Sequence, residues 1–123
     1  MYNQSALAYQ KTQQATASPR ELEAALLLRA AARLQAVVDG WDHGTDDLRD
    51  ALLFNRKLWT VLATSATAAE NPLPHPVKQN IGNIAVFIFN RTIDLMEAPR
   101  PEKVGALVSI NANIAAGLRG SPA

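Results

Sequence analysis

The chain has 123 residues, 48% hydrophobic and 19% charged, which suits a single compact domain spanning 1–123, so disorder is not the default expectation. It contains no Cys, which excludes a disulfide framework, a thiol nucleophile and a thiolate metal site, and which fits a reducing cytoplasm. With 12 basic against 11 acidic residues, a formal net charge of +1, it lacks the excess of cations on which phosphate neutralisation depends, so no direct nucleic-acid binding is expected.

The first 17 residues are rich in Gln and Ala. They predict a short helix over roughly 4–14, with Tyr2, Leu7 and Tyr9 available for docking. The opening "MYNQSALAYQ" has no basic region followed by an apolar stretch, so no signal peptide is expected. "SPRE" then starts a helix. Ser18 can accept from an orphan N–H, Pro19 suits the first helical position, and Glu21 completes a capping box. Leu27, Ala30, Ala31, Leu34 and Val38 share one face of this helix, and Gly40 is placed to close it as a left-handed cap, with Trp41 folding back on the last turn.

Thr45 is the expected N-cap of the next helix, with Asp46 and Asp47 set against its dipole. Leu48, Leu52, Trp59 and Leu62 form its apolar stripe, widened by Ala51, Leu58 and Val61, and Asn55 falls inside the stripe. "ENPLPHP" holds three prolines, each lacking an N–H and biasing its predecessor to extended geometry, so it reads as a rigid connector.

The segment "IGNIAVFIFNR" is rich in strand formers, but apolar residues continue on both sides at helical spacing. One row is Val77, Ile81, Ile84, Ile88 and Leu95; a second is Val86, Phe89, Ile93 and Met96. The spacing predicts one helix over 76–97, buried around most of its circumference. Asn80, Asn83, Phe87, Asn90 and Asp94 draw a polar seam down the remaining side. The interruptions at Asn83 and Asn90 leave no apolar run long enough to span a bilayer, so no membrane insertion is expected. After "APRPEK", the row Val104, Leu107, Ile110 or Asn111, Ile114 and Leu118 predicts a last helix over 101–118, ended by Gly117 and Gly120. The fold class is all-α: a small bundle of four main helices plus the short N-terminal helix.

No catalytic constellation emerges, and an enzyme is not expected. His43 and His75 lie in connectors without a second ligand at helical spacing, so neither a metal nor another cofactor is implied. The serines lack a nucleophile-elbow context, and Gly82 stands alone within a helix, not in a phosphate loop. Arg56 and Lys57 beside Trp59 could stack on a nucleic-acid base, but a lone basic pair reads more simply as a solvated face. The asparagines carry the sharper question. Asn55, Asn80, Asn83, Asn90, Asn111 and Asn113 are many for helix interiors. Either they pair with one another inside the bundle and fix its register, or they line a groove for a partner's backbone or amphipathic helix.

Five stretches, "SPRELEAALLLRAAARL", "ALLFNRKLWTVL", "ENPLP", "QNIGNIAVFIFNRT" and "INANIAAGL", occur in an order that resembles the FlaF family of flagellar biosynthesis regulators, from Tyr2 to Leu118. The resemblance implies a small cytoplasmic protein that engages flagellin as a secretion chaperone and controls flagellin synthesis after transcription, opposite or alongside an FlbT-type regulator. The alternative it leaves open is an RNA-linked regulator acting on flagellin mRNA together with that partner. It offers no catalytic residues. Its "NRKLW" positions, Asn55, Arg56, Lys57 and Trp59, join Asn80, Asn83 and Asn90 as the candidate partner-binding residues.

Overall fold

The computed structural model describes residues 18–41 and 45–120, and its elements are four helices: α1 (Pro19–Asp39), α2 (Thr45–Thr67), α3 (His75–Glu97) and α4 (Pro101–Gly120). The predicted helix over 4–14, together with Tyr2, Leu7, Tyr9 and His43, lies outside the described residues. The segment 84–89 is helical, within α3.

Local chemistry sets each boundary. Ser18 is extended, and its Oγ accepts from the Glu21 N–H at 3.1 Å, satisfying one of the donors that a helix start leaves free. Glu21 Oε1 also accepts a long hydrogen bond from Ser18 Oγ at 3.5 Å, a side-chain contact and not the backbone arm of a capping box. Ser18→Ala is expected to cost about 1 kcal/mol, lowering the thermal midpoint by a few degrees; an unchanged melt would show that the cap contributes nothing.

Gly40 is not a left-handed cap. Its φ of −107° and ψ of 38° fall in neither the left-handed nor the α-helical region, while its N–H still donates to Ala36 O at 3.0 Å. The helix thus ends by one more helical hydrogen bond, and half-buried Trp41 packs on the core directly after it. Thr45 is likewise the first residue of α2, one position inside the cap expected of it. Asp46 and Asp47 do occupy the first turn.

The proline connector closes α2 through side chains. Asn71 Nδ2 donates to Ser65 O at 3.1 Å, Asn71 Oδ1 accepts from the Leu73 N–H at 2.9 Å, and Lys78 Nζ donates to Ala68 O at 2.7 Å. The first and last take up carbonyls at the end of α2, and the second satisfies the Leu73 N–H. Pro76 sits in the first turn of α3, where its missing N–H costs nothing. In α4 the helix runs through Gly117 to Gly120, two residues beyond the expected end.

Around the bundle the order is α4, α1, α2, α3. α1 runs closely along α4 and also packs on α2; α2 packs on α3; α3 meets α4 only sparsely. The interior positions of α1 include Ala24, Ala30 and Ala31, and α4 contributes Ala115. Such short side chains let helices approach closely. The largest buried side chains, Leu27, Leu34, Leu52, Trp59, Ile88, Leu95 and Leu107, come from all four helices. Val61, assigned to the α2 stripe by spacing, is 60% exposed.

Candidate partner-binding surface

Of the six asparagines in the helices, Asn113 is exposed on α4, and the other five divide into two groups with different physics. Asn55 and Asn111 are completely buried, and with Trp59 they form a chain of hydrogen bonds joining α2 to α4. Trp59 Nε1 donates to Asn111 Oδ1 at 2.9 Å, and Asn111 Nδ2 donates to Asn55 Oδ1 at 2.6 Å. An indole can only donate. It therefore fixes which end of the Asn111 amide faces it, and Asn111 in turn fixes Asn55. The polarity runs out at Asn55 Nδ2, which is buried and has no partner among the described residues. Of the "NRKLW" candidates, Asn55 and Trp59 are thus core residues, while Arg56 and Lys57 are turned to solvent.

The second group lies on the surface of α3. Asn80, Asn83 and Asn90 are all exposed on one side of this helix, together with Phe87. The buried positions of α3 are Ala85, Ile88, Thr92 and Leu95. At 100° per residue, Val86 and Ile93 lie about 160° and about 140° around the helix from Ile88, beside the asparagines. They are 57% and 55% exposed, and Phe87 is 41% exposed. This corrects the expectation that α3 is buried around most of its circumference. Among the described residues α3 has close neighbours on one side only, so the row of Val77, Ile81, Ile84, Ile88 and Leu95 faces inward except at Val77, and the row of Val86 and Ile93 does not. Phe89 and Met96, at the edge of that second row, are half-buried against the core.

The result is an outward stripe of Asn80, Asn83, Val86, Phe87, Asn90 and Ile93, three amides and three apolar side chains, with the part-exposed carboxylate of Asp94 one turn beyond Asn90 on the same side. Its far end is fixed to α4. Arg91 stacks its guanidinium 4.8 Å from the centre of the Phe87 ring and donates to Lys103 O at 3.1 Å. Lys103 Nζ reaches Asp94 Oδ2 at 2.9 Å. The hydrogen bond from Lys103, then its charge, hold the Asp94 carboxyl below the ordinary carboxylate range, with smaller help from Arg91 and Arg100.

Sequence spacing found the amides of this stripe but missed Val86 and Ile93 as surface residues. The signal was present: two apolar rows nearly opposite one another on one helix cannot both be core unless neighbours surround it. Among the described residues no helix is long and apolar enough to cross a membrane, and no group of three or more His, Asp or Glu could hold a metal ion.

No curated protein and no solved structure matches the chain. A family model does: that of the flagellar protein FlaF, over residues 5–118. The match runs through all four helices, the buried Trp59–Asn111–Asn55 chain and the outward stripe of α3, so the chain belongs to the FlaF family of flagellar proteins.

Proposed function

We propose that this protein is a non-enzymatic regulator of flagellar biogenesis that binds flagellin in the cytoplasm as a secretion chaperone, and that it controls flagellin synthesis after transcription together with an FlbT-type regulator. The observation that carries the reading is the outward stripe of α3 in a family of flagellar proteins. An amphipathic flagellin helix supplies what the stripe lacks: an apolar face to cover Val86, Phe87 and Ile93, and polar edges to pair with Asn80, Asn83 and Asn90. The carboxylate on this face, Asp94, is already paired with Lys103 of the same chain, so the complex persists when salt is raised.

Calorimetric titration with purified flagellin tests this. A stoichiometric complex is expected, weakened tenfold or more by Val86→Glu or Ile93→Glu, about 1.4 kcal/mol or greater. Both positions are more than half exposed, so neither change should alter the melting curve. Absence of binding at tens of micromolar, or equal affinity in the variants, contradicts the reading.

A further inference from the structure

A second apolar feature lies where α1 begins. Trp59 and Leu62 of α2, Leu73 of the proline connector, Ile81 of α3, and Ile114 and Leu118 of α4 line a groove. Glu23 of α1 stands at its edge, its carboxyl pushed up by burial and partly drawn back down by Arg20. Beyond Glu23 the apolar surface continues: Leu22 and Leu26, one turn apart, are 39% and 40% exposed. Next to Glu23 on the helical wheel, they carry the surface outward from the groove.

We propose that this groove is filled by the chain's own first residues, with Tyr2, Leu7 and Tyr9 against its apolar lining and Lys11 paired with Glu23. Three observations commit the groove to this occupant. The described structure starts at Ser18, the cap of α1, five residues before Glu23, so the preceding chain departs about 7–8 Å along the helix axis from the groove's edge. The six residues 12–17 span up to about 20 Å when extended, which is ample for Lys11 to reach Glu23. Lys11 is the one charged residue in 1–17, and Glu23 is the one charged residue lining the groove. The family match, moreover, starts at residue 5, so most of this segment is part of the family's domain. Tethering makes the docking intramolecular, at an effective concentration on the order of millimolar. The inference does not depend on flagellin being the partner.

The absence of Cys allows a direct test on the full chain. A nitroxide attached to Gln4→Cys should broaden the methyl signals of Leu62, Ile81, Ile114 and Leu118 at least twofold more than those of Leu48 and Leu95. Leu95 lies about 20 Å from Ile81 along α3. Lys11→Glu should reduce that broadening, and adding Glu23→Lys should restore it. Absent or uniform broadening overturns the proposal, and broadening indifferent to Lys11→Glu overturns the ion pair. So does groove broadening that disappears on dilution, which assigns the groove to a second copy, or that appears only with flagellin, which assigns it to the partner.

Discussion

Replacing Ile88 by aspartate is expected to unfold this domain at room temperature. Ile88 is wholly buried near the middle of α3, in the same core as Trp59, Leu52 and Leu107. Among the described residues Asp94 and Lys103 form the one ion pair, and it lies at the surface end of α3, partly open to solvent. A carboxylate at position 88 would have no such cation to meet. Burying it unpaired, or forcing it to take up a proton, adds to the loss of an isoleucine's burial, and the sum is several kcal/mol. A domain of this size is stable by about 5–15 kcal/mol in all. The conservative control, Ile88→Val, should cost only about 0.5–1.5 kcal/mol. Circular dichroism melts of the two variants check this. Loss of the helical signal in the aspartate variant alone is expected; an unchanged midpoint would put Ile88 on the surface and refute the inward face assigned to α3.

The second large effect is an asymmetry between two buried amides. Asn111→Leu removes the centre of the hydrogen-bonded chain. It leaves the Trp59 N–H and both ends of the Asn55 amide buried without partners. Two of these groups are newly unsatisfied, and at about 1–3 kcal/mol for each the variant should lose a large share of the domain's stability. Asn55→Leu is different. It removes an amide whose Nδ2 already has no partner and leaves only Asn111 Nδ2 unpaired, while the bond from Trp59 survives. One bond is lost and the number of orphans does not rise, so the cost should be near 1 kcal/mol. Chemical denaturation of the two variants, with equal m-values, checks the order. Equal destabilisation would mean that the polarity imposed by the indole does not decide the energetics. The triple replacement with Trp59→Phe, which removes every polar member, should recover much of what Asn111→Leu loses, because an apolar core leaves nothing unsatisfied.

These two predictions mark what could be read in the residues and what could not. The helices were legible because their signals are local: Ser18 and Pro19 at a start, the prolines of the connector between α2 and α3, and Leu or Ile at every third or fourth position. Cap geometry was less so. Gly40 has the residue type of a left-handed cap but keeps a helical hydrogen bond, since the next residue, Trp41, is drawn into the core. The two fates of the asparagines depend on the bundle's geometry. Asn55 lies in an apolar stripe and Asn80 does not, which separates those two. Asn111 shares its row with Ile110, and only the arrival of Trp59 from α2 decides which of them turns inward. Val86 and Ile93 were misread for a related reason. Spacing reports which residues share a face, not whether a neighbouring helix covers it, and among the described residues α3 lacks a close neighbour on that side.

The contrast between the two groups of amides also gives the most direct test of partner binding. Asparagine side chains have resolvable amide resonances, and this chain carries both buried and exposed ones. On titration with flagellin, the side-chain signals of Asn80, Asn83 and Asn90 should shift together and saturate at one equivalent, while those of Asn55 and Asn111 stay in place. Saturable binding that leaves all three exposed amides unmoved, or that shifts only the backbone around Arg56 and Lys57, would contradict the assignment of the outward face of α3 as the flagellin-binding surface.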